Sequence, residues 1–510
     1  MANLRLPLSC GHWIVSNLAF VKQKTSLGTG EARPVGPAPD WPDTLRNASP
    51  ALSAAMPMAL WQRVVLVLVS AGFAVCFVAS AEAAMTTIMA LLTPAFAGVA
   101  LLRGIALWQF ASAARPALAA EKPPSRPDGE LPVYSILVPL YREAHMASAL
   151  AGALDRLDWP VEKRDIVFIT EAEDQSTRRA LEIAAKGRPG MRIVSVPAGE
   201  PRTKPRALMY VLPLAQGEFV VVFDAEDLPE PGQLRLAYER FQNEGAALGC
   251  LQARLNIYNA RNTWITRQFA LEYTALFDAL LPSVERLKLP LPLGGTSNHF
   301  RREALERSGG WDPYNVTEDA DLGVRLARQG WDVKMLDSVT WEEAPQTFRA
   351  WFGQRTRWLK GWMQTSLVHL RQPRRLWHEL GARGFIGFNV LLVGVILSAL
   401  IHPLFYAYAV WKLHTGELAL WPPDGWPALI WWTGVVNLAV SYAVGIALTV
   451  VAAKRRHGSR LAAGAVLLPI YWMMISVAAY RALIDLAVRP FHWRKTMHTG
   501  RAAAFDCERT

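Results

Sequence analysis

Two carboxylates stand one residue apart directly after an apolar run in the middle of the chain. The run reads FVVVF, and Asp224, Ala225, Glu226 and Asp227 follow it. Carboxylates at this spacing can present hard oxygen ligands to one Mg²⁺ or Mn²⁺ that also binds phosphate oxygens. A strand that simply ends in a solvated acidic loop would show the same pattern. The pair alone therefore indicates a metal and phosphate site without requiring one.

Other groups that can do chemistry lie in the same part of the chain. Glu171 follows the apolar run DIVFIT, Lys204 precedes PRALMYVL, and Glu318 and Asp319 follow Thr317 at the start of a helical pattern. A carboxylate can take a proton from a hydroxyl, and a lysine can meet a phosphate. Each also has a plainer interpretation, because such residues cap helices, balance the helix dipole or are solvated.

These residues need a scaffold, and the segment 130–345 predicts one. The β-branched and aromatic runs VYSILVPL, DIVFITEA, MRIVSVPAG and FVVVFD alternate with the helical patterns MASALAGALDRL, RRALEIAAK and PRALMYVLPL. This alternation favours an α/β domain with a parallel, doubly wound sheet. Ligands of such sheets bind outside the carboxyl ends of the strands, which is where the acidic residues lie.

The rest of the chain is strongly apolar. Hydrophobic residues make up 52% of the 510, and five uncharged runs are each near or above the ~18 to 20 residues needed to cross hydrocarbon. The composition therefore indicates a membrane protein with a sizeable soluble domain and a helical transmembrane bundle. The five runs are 64–81, 85–102, 385–411, 425–453 and 461–480.

These features divide the chain into seven parts. Pro, Gly, Ser and Ala dominate the first part, which is typical of disorder. The four cysteines are scattered and show neither paired nor metal-ligand spacing. The predicted parts are a disordered cytoplasmic tail 1–57, two transmembrane helices in 58–112, the α/β domain 130–345, interfacial helices in 346–380, two transmembrane helices in 381–455, a fifth apolar segment 459–488 and a cytoplasmic tail 489–510.

Charge predicts the orientation in the membrane. Lys and Arg are absent between the first two apolar runs but frequent after the second and after the fourth. Since basic loops lie on the cytoplasmic side, the α/β domain is expected in the cytoplasm, at an inner (cytoplasmic) membrane. The net charge of +11 comes largely from these flanking clusters. Lipid contact therefore explains it better than nucleic-acid binding does.

The fifth run conflicts with this charge rule because it lies between two basic segments. It could span the membrane, re-enter it or lie at the interface. Arg481, Asp485 and Arg489 stand four residues apart and fall on one helical stripe. An interfacial helix with an internal C-terminus is therefore the preferred interpretation.

A basic and aromatic stretch, QRTRWLKGWMQT, precedes the third apolar run. By itself it is typical of a helix that anchors at the headgroups through tryptophan and arginine. We expect Arg355, Lys360 and Trp362 to serve as such anchors, while Gln354, Arg357 and Trp358 face an active site.

The ordered series VPLYRE, FITEAED, TKPRAL, FDAED, GGTSNHFRR, TED and QRTRW resembles the inverting family 2 glycosyltransferases. The resemblance is to their membrane-embedded branch, which includes bacterial cellulose synthase and hyaluronan synthase. It covers about 130–365 and implies a GT-A fold that binds a nucleotide diphosphate sugar, expected to be UDP-linked. The final motif matches the QxxRW signature of the family at Gln354, Arg357 and Trp358.

The resemblance also implies a role for each motif residue. Tyr141, Glu143 and Glu171 would surround the base and ribose, with Lys204 and Arg357 near the diphosphate. Asp224 and Glu226 would bind Mg²⁺ or Mn²⁺, Asp319 would be the general base, and Glu318, Gln354 and Trp358 would hold the acceptor. Glu171 and Glu226 depart from the aspartates usual at these positions, which puts the reach of Glu226 to a metal in doubt. Residues 491–496 look like a gating loop over the nucleotide.

Three functions remain open at this point. The leading hypothesis is processive synthesis of a β-linked polysaccharide and its export through the membrane helices, with export partners in the envelope. The alternative is a single addition of a sugar to a lipid acceptor. From another class, the chain could be a catalytically idle assembly factor or a transporter, but no GxxxxGK[ST] phosphate loop is present.

Overall fold

A computed structural model describes residues 41–56, 58–113, 126–416 and 425–492. The centre of the molecule is an eight-stranded sheet with the order β3-β2-β1-β4-β7-β6-β8-β5. Its strands are β1 (Tyr134–Leu140), β2 (Arg164–Glu171), β3 (Met191–Val196), β4 (Phe219–Val222), β5 (Leu228–Pro229), β6 (Leu248–Ile257), β7 (Asn298–Arg301) and β8 (Asp332–Glu342).

The first half of the sheet confirms the predicted parallel core. β1 pairs in parallel with β2 and with β4, and β2 pairs in parallel with β3. The chain therefore leaves β1 toward one edge and returns on its other side, so the strand order reverses between β1 and β4. Ligand sites of open α/β sheets form beside such a reversal, outside the carboxyl ends of the strands.

The second half of the sheet is mixed, which the alternation pattern did not predict. β7 is antiparallel to both β4 and β6, whereas β6 and β8 are parallel. β7 is only four residues long, NHFR, so it carries too few residues for a period-2 pattern to stand out. The sheet is nevertheless mostly parallel and GT-A-like.

Some helices cover the sheet, and long apolar helices extend from it as a bundle. The helices are α1 (Thr44–Ala48), α2 (Leu60–Ala79), α3 (Ala81–Ser112), α4 (Ala147–Asp155), α5 (Gln175–Ala185), α6 (Lys204–Val211), α7 (Gln233–Glu244), α8 (Trp264–Thr274), α9 (Leu281–Arg286), α10 (Arg302–Arg307), α11 (Glu318–Arg328), α12 (Phe348–His369), α13 (Pro373–Phe388), α14 (Gly394–His414), α15 (Trp426–His457), α16 (Ser459–Ala462) and α17 (Leu468–Val488).

Within the described residues, five helical stretches are long and apolar enough to cross a membrane. Each coincides with one of the uncharged runs. The five are Leu60–Ala79, Ala81–Ser112, Pro373–His414, Trp426–His457 and Ser459–Val488.

The third stretch is interrupted at Gly381. This residue has φ +66°, a left-handed conformation that glycine adopts without a steric penalty. The chain kinks there, so the part of α13 before Gly381 and the part after it run in different directions. The kink separates the end of the predicted interfacial region from the predicted third crossing.

The fifth stretch packs against two other helices of the chain. α17 packs against α12, which carries the QxxRW motif, and against α14. Arg481 and Asp485 form an ion pair at 3.0 Å across one helical turn, as their spacing predicts. Whether the stretch spans or lies at the interface stays a prediction, as do the sides of the membrane.

The expectation of disorder in 1–57 is wrong for its last part. Residues 41–56 form two short 3₁₀ helices around α1 and lie against the sheet domain. The Asp312 carboxylate accepts hydrogen bonds from the Ser53 hydroxyl at 3.2 Å and from the Ala54 backbone N–H at 2.6 Å. Burial of polar contacts and of Leu45 outweighs the local composition here. Residues 1–40, and 493–496 of the predicted gating loop, lie outside the described residues.

Candidate active site

A cavity of about 630 Å³ opens at the carboxyl ends of β1, β2 and β4. Every residue that the sequence predicts for donor, metal, acceptor or catalysis lines it. The eleven are Tyr141, Glu143, Glu171, Lys204, Asp224, Glu226, Glu318, Asp319, Gln354, Arg357 and Trp358. Their roles stay predictions, but the fold brings them to one place.

Lys204 connects the TKPRAL segment to the acidic segment FDAED. It is the first residue of α6, and its ammonium contacts the Asp224 carboxylate and donates to the Gly295 carbonyl at 2.6 Å. Burial works against the ammonium, but the charges of Asp224 and Glu318 outweigh it and raise the pKa of Lys204. Lys204 is therefore a permanent cation at the centre of the site.

Several carboxyl groups surround the Lys204 ammonium. Burial, together with the charges of Asp224 and Glu143, raises the pKa of Glu226 well above its ordinary value. Burial and the charges of Asp224 and Glu226 also raise the pKa of Asp227, which accepts a hydrogen bond from the Asp224 backbone N–H at 2.7 Å. Burial and the charges of Asp227 and Glu226 raise the pKa of Glu342 at the end of β8. The acidic groups in and beside the loop after β4 therefore resist ionising together in the absence of a cation.

This donor set fits a divalent cation. The carboxylate oxygens of Asp224 and Glu226 are hard ligands of the kind that Mg²⁺ and Mn²⁺ prefer. A dication there would counter both the burial and the repulsion that raise the pKa of Glu226. Within the described residues no group of three or more His, Cys, Asp or Glu side chains forms a complete ligand set. A metal at this place would need oxygens from its substrate, as predicted for a diphosphate.

The predicted base and ribose pocket is built by the first two strands. Glu143 accepts a hydrogen bond from the Tyr141 backbone N–H at 3.3 Å, and its own N–H donates to the Thr177 hydroxyl at 3.0 Å. Glu171 faces the Arg206 guanidinium at 3.4 Å. Burial raises the pKa of Glu171, and the charge of Arg206 opposes that rise.

The TED motif begins α11 and turns its acids into the cavity. Thr317 stands at the helix start but makes no side-chain cap, so capping does not account for the motif. The Asp319 carboxylate accepts from the Ala320 N–H at 2.7 Å, and burial raises its pKa against this bond and the charges of Lys204 and Arg357. A Cβ on Gly295 would lie 3.2 Å from that carboxylate, so glycine leaves it room.

Glu318 is the more perturbed acid of the motif. It is buried, and burial together with the charge of Asp319 raises its pKa from the ordinary 4.5 to about 7. Two adjacent carboxyls with separated pKa values can hold one proton between them near neutrality. The site therefore contains a proton acceptor in a poorly hydrated place.

The QxxRW residues lie on α12, which packs against α11, the helix that begins with the TED motif. Arg357 donates to the Val316 carbonyl at 3.2 Å, directly before TED. Trp358 packs on Phe269 and lies nearly parallel to Tyr273, with ring centroids 6.1 Å apart. The Gln354 Oε1 atom is buried without a hydrogen-bond partner among the described residues. An unpaired buried oxygen beside a cavity can accept a hydrogen bond from a bound ligand.

Two expected membrane anchors are wrong. Arg355 is buried and makes two hydrogen bonds to Glu272, at 3.0 and 2.6 Å. Lys360 is buried and donates to the carbonyls of Arg489 and His492, at 3.1 and 2.7 Å. Both cationic groups therefore find hydrogen-bond partners inside the protein. The partners lie about 80 and 130 residues away in the chain, so the local basic and aromatic pattern did not reveal them.

The cavity continues past Trp358 into the bundle of long apolar helices. Its far end is lined from four of the candidate membrane helices, α3, α14, α15 and α17. Polar and aromatic side chains are prominent among this lining: Arg103, Ser398, His402, Tyr406, Ser441, Tyr442, Thr449, Trp472 and Ser476. A path thus leads from the acidic loops to the inside of the bundle.

Sequence reasoning missed several lining residues. Glu342 ends an 11-residue strand and Glu272 lies within α8, so neither follows a recognisable signal. Arg103 could have been found, because a charge directly after an uncharged run of a membrane helix is a functional candidate.

The sheet, the acidic cavity and the bundle define a membrane-associated protein with a GT-A-like domain. Residues 132–361 match the family model described as "Glycosyltransferase like family 2". This segment, a little under half of the chain, is similar to glycosyltransferase family 2, and the described residues also include five candidate membrane helices.

Two curated relatives illustrate the range of the similarity. The beta-monoglucosyldiacylglycerol synthase of Trichormus variabilis is 32% identical over 242 residues, 47% of this chain and 51% of that protein. The probable glucomannan 4-beta-mannosyltransferase 3 of Arabidopsis thaliana is 26% identical over 287 residues, 54% of this chain and 51% of that protein. The chain thus spans about half the length of these relatives. They do not single out the cellulose and hyaluronan synthase branch.

A solved structure shares the fold. The mannosyltransferase PcManGT from Pyrobaculum calidifontis, in complex with GDP-Man and Mn²⁺, has a TM-score of 0.50 and 19% identity, covering 79% of this chain and 98% of its own. At this identity the likeness shows the fold alone.

Proposed function

We propose that the protein transfers a hexose from a nucleotide diphosphate sugar to an acceptor hydroxyl, with inversion, at the membrane. The observation that carries this proposal is that one cavity contains the whole predicted site. It joins all eleven predicted residues and continues between the candidate membrane helices. A donor with two phosphates meets cations and metal-binding oxygens at one end, and an acceptor can arrive from the other.

The chemistry follows from the residues around Asp319. Its carboxylate takes the proton of the acceptor hydroxyl, while the hydroxyl oxygen bonds to C1 of the sugar and the bond from C1 to the diphosphate breaks. Burial of Asp319, which raises its pKa, makes the carboxylate a stronger base. Lys204 and Arg357 are placed to stabilise the negative charge of the departing diphosphate.

Asp224 and Glu226 would hold the divalent cation. When bound, the cation would add positive charge beside the leaving diphosphate. The similar fold of a protein in complex with GDP-Man and Mn²⁺ gives a reason to test GDP-linked donors and Mn²⁺ beside the UDP-linked donors and Mg²⁺ expected from the sequence.

Two acceptors are candidates. Processive synthesis of a β-polysaccharide, with export through the bundle, is supported by the aromatic side chains of Tyr442 and Trp472 along the cavity, because such rings pack on sugar faces. A lipid acceptor is supported by the 32% identity to a glycolipid synthase. In either case the domain would face the cytoplasm at an inner membrane.

The test offers the full-length protein, in membranes, a panel of radiolabelled UDP- and GDP-sugars with Mg²⁺ or Mn²⁺. We expect one donor to be incorporated, and EDTA to abolish incorporation until the metal is restored. The size of the product distinguishes the acceptors, since long glycans indicate a polymer and short, organic-soluble products indicate a glycolipid.

Asp319→Asn supplies the decisive variant. It should lower the transfer rate by about 10²- to 10⁴-fold, the range for loss of a general base, with little loss of donor binding. Glu303→Gln, a carboxyl 63% exposed on α10, is the matched control and should transfer like wild type. Normal transfer by Asp319→Asn would refute the assignment of the base.

A further inference from the structure

Trp41 belongs to segment 41–56, which lies outside the matched region 132–361 yet contacts the helix behind the predicted nucleoside pocket. Its indole ring covers the guanidinium of Arg206 on α6, with 4.9 Å between the guanidinium carbon and the ring centroid. The ring also meets Tyr210 edge-on, with centroids 5.1 Å apart. Arg206 and Tyr210 stand four residues apart in α6, so one face of this helix receives the indole.

Arg206 connects this ring to the donor site. It is buried, with 2% of the residue exposed. Its guanidinium donates to the Glu171 carboxylate at 3.4 Å and to the Pro197 carbonyl at 2.5 Å. Glu171 lines the cavity, whereas neither Arg206 nor Trp41 is among the described residues that line it. Trp41 therefore acts on a bound donor indirectly, through Arg206 and Glu171.

Hydrogen bonds alone hold the Arg206 guanidinium loosely. The 3.4 Å bond to Glu171 is longer than usual for an N–H donor, and the Nε atom is buried without a hydrogen-bond partner among the described residues. A Cβ on Gly199 would lie 2.5 Å from the Nη2 atom, so the glycine leaves room for the guanidinium. The indole face thus supplies a contact that the hydrogen bonds do not, and it shields the ion pair from water.

The charge and orientation of Glu171 decide what it can bind. An ionised carboxylate accepts hydrogen bonds from ribose hydroxyls and from base N–H groups. Burial raises the pKa of Glu171, and the charge of Arg206 opposes that rise. Glu173 raises the same pKa and Arg202 lowers it, but these two residues pair with each other at 3.0 Å. Arg206 is therefore the principal cation that keeps Glu171 ionised and in one orientation.

Segment 41–56 is also fixed at points other than Trp41. The Asp43 carboxylate accepts a hydrogen bond from the Tyr314 hydroxyl at 2.9 Å, and Asp312 binds the far end of the segment through two hydrogen bonds. A change at Trp41 should therefore leave the segment bound. Weaker donor binding by such a variant would report the lost contact with Arg206 rather than detachment.

We propose that Trp41 is a positioning residue for the nucleoside part of the donor, because it holds Arg206 against Glu171. Segment 41–56 then completes the donor site from outside the glycosyltransferase-like region. This rests on the proposed transferase function and adds a residue to its donor site. A diphosphate without a nucleoside would not depend on Trp41, since it would meet Lys204 instead.

The test measures binding, so that it does not depend on transfer. The full-length protein in detergent micelles with Mg²⁺ is titrated by calorimetry with UDP, with GDP and with inorganic pyrophosphate. Trp41→Ala should bind the nucleotide that wild type binds about 3- to 10-fold more weakly, as expected for loss of a cation–π contact. Pyrophosphate should bind both proteins within about twofold of each other.

Further variants separate positioning from folding. Trp41→Phe keeps an aromatic face and should recover part of the loss. In transfer assays Trp41→Ala should raise the KM for the donor by the same factor with kcat unchanged, because the ring touches no reacting group. Trp377→Ala, at an exposed tryptophan of α13, is the matched control and should bind like wild type. In an Arg206→Gln background, Trp41→Ala should weaken nucleotide binding by less than about a further twofold, since its effect passes through Arg206.

Three outcomes would overturn the proposal: nucleotide binding by Trp41→Ala equal to that of wild type, an equal loss of pyrophosphate binding, or the full loss retained in the Arg206→Gln background. Failure of the proposed function appears differently. Wild type would then bind neither UDP nor GDP and incorporate no sugar from any donor, and the assignment of Trp41 would fail with it.

Discussion

The raised pKa of Glu318 predicts how much its ionisation costs the stability of the folded protein. Burial and the charge of Asp319 raise its pKa from 4.5 to about 7. Between those values the folded protein holds a proton that the unfolded chain releases. Stability therefore falls as the pH rises from 4.5 through 7, and the full cost is present above pH 7.

Glu318→Gln removes the ionisation and keeps the shape of the side chain. At about 1.4 kcal/mol for each pKa unit, the difference between 4.5 and about 7 is about 3 kcal/mol. The variant should be more stable than wild type by up to about this amount at pH 8 and nearly equal to it at pH 5. A gain of this size corresponds to a rise in Tm on the order of 5 °C.

The assay is thermal unfolding of the detergent-solubilised protein, followed by tryptophan fluorescence from pH 5 to 8 without donor or metal. Only the difference between variant and wild type is interpreted, because Glu226 and Glu342 also have raised pKa values and impose their own pH dependence. The exposed Glu303→Gln should give a flat difference over the same range.

A double-mutant cycle tests the cause. Since the charge of Asp319 contributes to the raised pKa of Glu318, Glu318→Gln should stabilise less in an Asp319→Asn background than in wild type. A Glu318→Gln protein with the same Tm as wild type at pH 8 would refute the reasoning. A stabilisation that is equally large at pH 5 would refute it too, because no ionised carboxyl remains there to remove.

Three further substitutions test residues that support or line the site. Glu272→Gln leaves the Arg355 guanidinium buried without its carboxylate and should cost about 3 to 5 kcal/mol, seen as a lower Tm. Asp312→Ala removes the acceptor that holds segment 41–56, so limited proteolysis should cut that segment faster while Tm falls modestly. Trp358→Ala should raise the KM for the acceptor more than that for the donor, and Trp358→Phe should recover part of the loss.

The parts of the site that follow strands could be predicted from the sequence. FVVVF and DIVFIT are continuous apolar runs, so each predicts a buried strand, and the acids directly after them must lie at the carboxyl edge. The parallel core then brings Glu143, Glu171 and Asp224 together, because carboxyl ends of parallel strands share one edge.

The remaining parts depend on distant partners that no local pattern encodes. The segment 41–56 has a composition typical of disorder, yet it is ordered by contacts with Asp312 and with Arg371, whose guanidinium donates to the Ser53 carbonyl at 2.8 Å. Arg355 is similar, because its neighbours in sequence are typical of a membrane anchor and its carboxylate partner lies in α8. Local pattern predicts an element, and the choice of partner depends on tertiary packing.

The acidic loops at the sheet end of the cavity make donor binding depend on a metal. Burial and the charges of Asp224 and Glu143 raise the pKa of Glu226, so the carboxyls there resist ionising together. A divalent cation would stabilise the ionised forms of Asp224 and Glu226 and the phosphates of the donor beside them. A metal chelator should therefore weaken binding of the nucleotide sugar to the full-length protein. Donor binding that EDTA leaves unchanged would contradict the assignment of the metal to Asp224 and Glu226.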